Sequence, residues 1–397
     1  MDSFDRFPLR VRPRDGEPAI AALGRTCLRI GLASERELAA MFALRLNDVA
    51  RGRANARLAV LMELSEREAG TLASWTPSDI GNTRVTLRGE VLRTPHDMTL
   101  GIGSGRRVRA CPECLRADLA DRDGGPKVQR PYVRAWWNVL DVYTCPIHLC
   151  TLSAVSGGGR VLAPDRSDEA RLRAYWGGLC EAPAAAVPPS DTSADGYLLG
   201  RLGAMPRVDV PFLDALPLGE ASAVLNWVGE VVVSGARANY ARGLPFDQAA
   251  DLRSRGLEAC LDWPNGMNAL LRTLQERAPA NVRGLKGRFG RYYSRLYDDR
   301  GARADQEVRA VLRDAMRAYI VEHVPLDLGE TVFRDGVEAG RRITAGHAAK
   351  LLGIRPKEML ALARAEGLLA DGDTDGHLYG LLREDIEGRL HGTTAAA

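Results

Sequence analysis

The chain has 397 residues, which at roughly 150 residues per domain favours two or three domains with separate cores. Hydrophobic residues make up 45% of it and charged residues 26%, an average composition that argues against fibrous and disordered classes. Lys and Arg number 54 against 51 Asp and Glu, a net charge of +3 with His neutral. Affinity for nucleic acid therefore has to come from local basic patches.

The sequence contains no apolar stretch of the roughly 18 residues that a membrane span needs. Its most apolar run, residues 223–233, is interrupted by Asn226 and Glu230. The first sixteen residues mix acids, bases and prolines and lack the apolar centre of a secretory signal. We therefore expect a cytoplasmic protein, in which closely spaced cysteines bind metal or perform redox chemistry rather than form disulfides.

Residues 17–75 carry apolar side chains at helical spacing and predict four or five short helices. The first covers 19–32 and ends near Gly31, a residue typical of helix ends. Two S-x-x-E sequences, at 34–37 and 65–68, predict helix starts in which hydroxyl and carboxylate bind free amides. The cluster is typical of a helix-turn-helix unit, and equally of a plain bundle without nucleic-acid contacts.

Further along, residues 84–108 predict one or two short strands that lead into a loop. Residues 165–325 alternate apolar and charged positions at helical spacing and predict an all-helical middle domain. Proline and serine clusters at 182–193, 206–217 and 264–266 interrupt this pattern. The fold class expected from these elements is mainly α.

Four residues form two pairs with metal-ligand spacing: Cys111 and Cys114 in C-P-E-C, and Cys145 and His148 in C-P-I-H. Two such turns can complete a tetrahedron around one structural zinc ion. A redox C-x-x-C is the alternative, but it gives no reason for the second pair. Cys150 rivals His148 as the fourth ligand. The other cysteines lie in helical apolar patterns and are predicted to be packing residues: Cys27, Cys180 and Cys260.

The segment around these ligands resembles the signature of the TniQ family, and the resemblance extends from Glu17 to His148. It rests on Arg109, Ala110, Cys111, Pro112, Glu113, Cys114, Leu115, Asp118, Tyr132, Arg134, Trp136 or Trp137, Cys145, Pro146, Ile147 and His148. TniQ proteins are target-selection accessory factors of cut-and-paste transposons that carry an AAA+ regulator, including transposons that have recruited CRISPR effector complexes. The resemblance implies a helix-turn-helix at 17–75 and a zinc module that bridges it to a helical body.

The chain departs from the family pattern at two places. The aromatic segment of the first family helix reads Ala21, Ala22, Leu23 here, and residues 153–159 replace a further cysteine turn that many members carry. A second zinc ion is therefore not expected. The cluster of Tyr132, Arg134 and two tryptophans could contact nucleic acid or a partner, with Arg134 as the candidate cation, or pack over the zinc module.

Residues 343–369 predict a second helix-turn-helix, with Gly353 at the turn, Pro356 at the first position of the second helix and Gly367 at its end. The sequence resembles the winged motif of excisionases and related regulators. Residues 370–379 contain turn residues typical of a short hairpin wing, although three acidic residues weaken the case for DNA: Asp371, Asp373 and Asp375.

The second helix of this motif supplies three candidate nucleic-acid contacts, Arg355, Lys357 and Arg364, with Glu358 as a candidate reader of cytosine. The alternative is a helix that docks a protein. A separate basic and aromatic run supplies Arg288 and Arg291 as further candidates; it consists of Arg283, Lys286, Arg288, Phe289, Arg291, Tyr292, Tyr293 and Arg295. The alternative there is an amphipathic helix with its aromatics inward.

The sequence contains none of the common catalytic motifs G-x-x-x-x-G-K, H-E-x-x-H and G-x-S-x-G, which favours a binding protein over an enzyme. We expect four modules: a helix-turn-helix-like module at 1–83, a zinc ribbon at 84–160, a helical domain at 161–330 and a winged helix-turn-helix-like module at 331–392. With the resemblance, they favour a non-catalytic adaptor that recruits an AAA+ ATPase to target DNA or to a CRISPR effector bound there. A second copy of the chain is a further candidate partner. The alternatives are a zinc-containing transcriptional regulator and an enzyme whose site one sequence does not reveal.

Overall fold

The computed structural model describes residues 5–32, 34–100, 108–121, 125–155, 191–237, 244–279, 284–297, 306–327, 329–337, 340–370, 373 and 376–394. These residues form sixteen α-helices and nine short strands, which confirms the mainly α fold class. Among the helices described, none combines the length and the apolar character needed to cross a membrane. Three of the predictions lie outside the described residues: the packing role of Cys180, the basic side chain of Arg283 and most of the 182–193 linker.

The N-terminal region forms five short helices, at the upper end of the predicted number. Gly31 ends the first with φ of 84°, a conformation that glycine adopts without steric cost. Ser65 begins the fifth with the predicted reciprocal pair of bonds to Glu68. The helices are α1 (Ala19–Ile30), α2 (Glu35–Met41), α3 (Leu46–Ala50), α4 (Asn55–Leu61) and α5 (Glu66–Ser74).

A three-stranded antiparallel sheet follows, in the order β1 (Ser78–Gly81), β2 (Arg84–Leu87) and β3 (Glu90–Arg93). The sequence predicted one or two strands from residue 84 onward and missed β1. This strand has the sequence Ser-Asp-Ile-Gly, and the side chain of Ile80 is 51% exposed. Since its residues supply little apolar burial, cross-strand pairing with β2 holds it in place.

The described part of the segment with the predicted metal ligands contains one α-helix and two short 3-10 helices between two paired strands. Its elements are β4 (Val108–Ala110), α6 (Pro112–Ala120) and β5 (Ser153–Val155). Strands β4 and β5 are antiparallel, with Val108 opposite Val155 and Ala110 opposite Ser153. The pairing closes the segment on itself, so both of its ends lie together.

The middle of the chain is helical, as the apolar periodicity predicts. One helix ends at Arg201, before the 206–217 interruption, and a four-residue helix (Pro211–Asp214) lies inside that interruption. Another helix begins at Asn265, directly after Pro264. A kink at Gly290, with φ of 57°, brings the backbone against Ala236, where a side chain would collide with the carbonyl oxygen. The helices are α7 (Ser193–Arg201), α8 (Pro211–Asp214), α9 (Leu218–Ser234), α10 (Phe246–Leu261), α11 (Asn265–Glu276), α12 (Gly284–Tyr297) and α13 (Gln306–His323).

The C-terminal region contains the two predicted helices, α14 (Ala345–Leu352) and α15 (Pro356–Ala365). Gly353 ends α14 with φ of 69°, and Pro356 is the first residue of α15. Buried Ala348, Met359 and Ala363 lie in the core that the helices share. The remaining elements are β6 (Thr331–Val332), β7 (Asp335–Gly336), β8 (Arg342–Ile343), β9 (Leu381–Leu382) and α16 (Arg383–Thr394).

The predicted hairpin wing at 370–379 is not found among the described residues of that stretch. Instead, Asp373 accepts hydrogen bonds from the backbone N–H groups of Leu378, Tyr379 and Gly380, at 3.1, 2.7 and 3.0 Å. The acidic side chain thus binds the backbone that leads into β9. The strand pairing expected of a wing runs between β8 and β9, outside the predicted stretch.

The chain divides into two compact units. The first comprises Met1–Ser222 and Arg242–Ser254, and the second Ala223–Ala241 and Arg255–Ala397. The first unit holds both the N-terminal helices and the segment with the predicted metal ligands, whereas the second holds the C-terminal helix pair. The finer division into four modules stays a prediction.

Candidate metal centre

The first ligand pair lies where a strand meets a helix. Strand β4 leads into Cys111, which caps the N-terminus of helix α6. Pro112 occupies the first helical position, where its missing N–H is not needed. The backbone N–H of Cys114 donates to Cys111 Sγ at 3.4 Å. The sequence C-P-E-C thereby brings both thiols to one end of the helix.

The second pair lies on a tight turn that its own backbone closes. Cys145 N donates to Cys150 O, and Leu149 N donates to Cys145 O, both at 2.9 Å. Beyond the turn, β5 pairs antiparallel with β4, so the two ligand turns share one base. These backbone hydrogen bonds close the turn that carries the second ligand pair.

The four predicted ligands converge. The ligand atoms of Cys111, Cys114, Cys145 and His148 all lie within 4.8 Å of one another. His148 Nδ1 is 3.5, 3.3 and 3.8 Å from the sulfurs of Cys111, Cys114 and Cys145, and the sulfurs of Cys114 and Cys145 are 3.6 Å apart. Tetrahedral zinc would space thiolates by about 3.8 Å and thiolate from imidazole by about 3.6 Å. The donor set fits one zinc ion with every position filled.

The ionisation of these thiols is coupled. Hydrogen bonds with Cys114 and Cys145 lower the pKa of Cys111, whereas hydrogen bonding to Cys111 raises the pKa of Cys114. A cation among them would favour the thiolate form of all three. The three thiols are buried and His148 is exposed, so its imidazole is the ligand nearest to solvent.

Arg109 ties the segment that precedes the second turn to strand β4. Its guanidinium donates to the carbonyl oxygens of Leu140 and Val142 at 2.9 Å, to that of Trp137 at 3.3 Å, and to that of Val139. Burial lowers the pKa of this guanidinium. The sequence marks Arg109 only as part of a motif, and its position two residues before Cys111 is the one available signal.

The structure corrects the assignment of Arg134 to a contact surface. Arg134 is 4% exposed and binds Asp118 through two hydrogen bonds of 3.0 Å. Its guanidinium also lies 4.0 Å from the ring centroid of Tyr132 and 4.9 Å from that of Trp137. Nucleic acid cannot reach a side chain enclosed in this way. The packing interpretation of the aromatic cluster therefore holds for these residues.

The metal segment packs on the N-terminal helices within the first unit. Ala135 N donates to Gly16 O at 2.7 Å, and Arg25 Nε donates to Gln129 O at 2.9 Å. Arg25 also forms a buried ion pair with Glu17 at 2.7 Å, where burial raises the pKa of the carboxyl group. Sequence reasoning missed this pair, because periodicity does not show which charged residues become enclosed.

The candidate contacts of the C-terminal helix pair are exposed. Arg355 precedes α15 with a side chain that is 85% exposed, although it forms a 2.7 Å ion pair with Glu358. Lys357 is exposed in the first turn of α15, and Arg364 is exposed in its last turn. Arg355 and Arg364 are nine residues apart, about 13 Å along a helix.

In the basic and aromatic run, Arg288 is tied within the second unit. It donates to the carbonyl oxygens of His377 and Leu378 at 2.6 and 3.1 Å, and burial lowers its pKa. Arg291 is exposed. Three aromatic side chains of the run are buried: Phe289, Tyr292 and Tyr293. The amphipathic-helix interpretation is therefore favoured, and Arg291 rather than Arg288 is the exposed candidate contact.

The three cysteines and one histidine, set between short helices and small sheets, form the four-ligand donor set that is typical of structural zinc sites. The family model for TniQ matches residues 8–152, which contain all four ligands. This match confirms the resemblance to the TniQ family, a family of accessory proteins of transposition. Among curated proteins, none matches the chain.

Proposed function

We propose that the protein is a non-catalytic, cytoplasmic target-selection adaptor of DNA transposition. It binds target DNA, or a complex already bound there such as a CRISPR effector, and recruits an AAA+ ATPase that regulates the transposase. The observation that carries the proposal is the quartet of Cys111, Cys114, Cys145 and His148 inside the TniQ match. Since the quartet fills a tetrahedron, one zinc ion there is structural and leaves no position for a substrate.

The contacts around the quartet support a scaffold role. Arg109 and the Arg134–Asp118 pair hold the metal segment together, and the bond between Ala135 and Gly16 joins it to the residues before α1. A rigid body of this kind can present one surface to a target and another to a partner. We assign the AAA+ contact to this first unit because the family match lies entirely within it.

The C-terminal helix pair supplies the proposed DNA contact. Lys357 and Arg364 are exposed on α15, and Arg355 precedes it. A second candidate function, a zinc-containing transcriptional regulator, draws on the same exposed helix. The two differ in their partner, since a regulator needs a DNA sequence and no ATPase.

The test is copurification of the full chain with the nucleotide-bound AAA+ regulator of the same element, with and without DNA. We expect a complex that forms with nucleotide and is lost without it. A second arm offers candidate CRISPR effector subunits, and light scattering of the purified chain tests for a homodimer. Absence of any complex with the regulator would contradict the adaptor, and sequence-specific binding to an operator alone would favour the transcriptional regulator.

A further inference from the structure

A fifth ligand-type side chain lies beside the metal quartet. Cys150 is 4% exposed, and its Sγ lies 3.4 Å from Cys111 Sγ. That separation is close to the roughly 3.8 Å expected of two thiolates on one zinc ion. Cys150 lies outside the group of four whose ligand atoms are mutually within 4.8 Å, so it contacts the edge of the site rather than its centre.

The backbone of the second turn keeps Cys150 at this edge. Cys150 O accepts the N–H of Cys145, and the neighbouring Thr144 and Thr151 pair as a β-bridge. These bonds do not involve the metal ligands' side chains. A rotation of the Cys150 side chain, without movement of the chain, is the motion that would bring its sulfur toward the ion.

His148 is the most exposed of the four ligands. It is exposed, whereas the three ligand cysteines are buried, and both neighbours on the turn, Ile147 and Leu149, are exposed as well. Departure of the imidazole would therefore leave three buried thiolates and a fourth sulfur close to one of them. In structural sites zinc accepts four cysteines as readily as three cysteines and one histidine.

We propose that Cys150 is a reserve ligand of this site, which hydrogen bonds to Cys111 while His148 is bound and replaces His148 when the imidazole leaves. In the exchange the metal–nitrogen bond breaks and the imidazole departs neutral. Cys150 releases its thiol proton to solvent, and its thiolate forms the new metal–sulfur bond. The chain would still supply four ligands, so the segment would stay folded while the exposed tip of the turn would be free to engage a partner.

The test uses the full chain loaded with Co²⁺, whose sulfur-to-metal charge-transfer absorption increases with the number of bound thiolates. We expect His148→Ala to keep one metal per chain, with that absorption higher by about one third because four thiolates replace three. Cys150→Ser should keep the wild-type spectrum. The double variant should bind Co²⁺ more weakly than wild type by more than about tenfold.

Three results would overturn the proposal: loss of metal from His148→Ala, an unchanged three-thiolate absorption in that variant, or a reduced absorption in Cys150→Ser. His148→Asn serves as a second replacement at the same exposed position. Failure of both His148 variants to fold with zinc present, when Cys150→Ser folds, would also contradict the proposal. None of these measurements depends on transposition or on an AAA+ partner, so the proposed function is tested separately.

Discussion

The ion pair of Arg134 and Asp118 is buried on both sides, with side-chain exposures of 5% and 6%. Asp118→Ala would leave a buried guanidinium without its counter-charge, at a cost of about 3–5 kcal/mol in the free energy of unfolding. The matched control is Asp209→Ala, which breaks an exposed pair with Arg207 and should cost at most about 1 kcal/mol. Denaturant unfolding of the zinc-loaded chain compares the two. Equal losses would contradict the structural role given to Arg134.

Alanine substitutions at Gly16 and Gly31 distinguish the cost of backbone strain from the cost of a steric clash. Both have positive φ, 79° and 84°, but a Cβ on Gly16 would lie 2.5 Å from Trp136, whereas one on Gly31 would meet nothing within 4 Å. Gly31→Ala should cost roughly 1–2 kcal/mol from its left-handed backbone alone. Gly16→Ala should cost about 1–3 kcal/mol more, because Trp136 is held by packing. Thermal and denaturant unfolding measure the difference, and a smaller loss for Gly16→Ala would contradict it.

Helix α5 begins with a capping box that depends on pH. The backbone N–H of Ser65 and then its hydroxyl lower the pKa of Glu68. The stabilisation is therefore present above the unfolded value of 4.5 and is lost as the pH falls through the lower folded value. Ser65→Ala should cost about 1 kcal/mol at pH 7 and less at pH 3. Ser34→Ala removes a cap that lacks the returning carboxylate bond, so its cost in the free energy of unfolding should vary less with pH. A Ser65→Ala effect that is the same at both pH values would contradict this interpretation.

Substitutions in helix α15 and at Arg288 are expected to affect the salt dependence of DNA binding differently. If Lys357 contacts phosphate, Lys357→Ala should lower the slope of log affinity against log salt by about 0.9 on duplex DNA. Arg288→Ala should leave that slope unchanged and instead speed hydrogen exchange at 376–380, because Arg288 binds the carbonyls of that segment. A salt titration with each variant distinguishes the roles. If Arg288→Ala changed the slope of log affinity against log salt, Arg288 would have to be counted among the DNA contacts.

The elements that the sequence predicted well are those that local chemistry determines. Helix ends can be located without knowledge of the fold, because the residues that start or stop a helix act within one turn of their own position. Examples are Gly31, Ser65, Gly353 and Pro356. The ligand quartet was also predictable, because each pair is local and the chemistry of zinc joins the pairs.

What the sequence could not provide depends on contacts between distant residues. Turn residues predict the wing at 370–379, whereas the strand pairing found in the described part of this region joins β9 to β8, about forty residues earlier. The carbonyl oxygens that Arg288 binds belong to residues 89 and 90 positions further along the chain. Because the local sequence does not show these acceptors, Arg288 looks like a side chain available to nucleic acid. Backbone acceptors carry no side-chain signature, so neither pairing could be inferred from composition or spacing.

For the molecule as a whole, the metal ion is expected to determine whether the first unit folds. Protein purified without added zinc should contain about one equivalent of zinc. A chelator should destabilise the first unit, because the free energy of metal binding contributes to the free energy of folding in such sites. Elemental analysis and limited proteolysis after chelation measure both. A folded chain with far less than one equivalent of zinc would contradict the structural role of the quartet.

The backbone passes between the two units three times, because the first unit consists of two separate stretches, Met1–Ser222 and Arg242–Ser254. No single truncation can therefore yield an intact half. A fragment that stops at Ser222 would lack Arg253, whose guanidinium lies 3.3 Å from the fully enclosed carboxylate of Asp195. Expression of isolated halves should require a deletion with a bridging linker, or coexpression of the excised piece, rather than a stop codon.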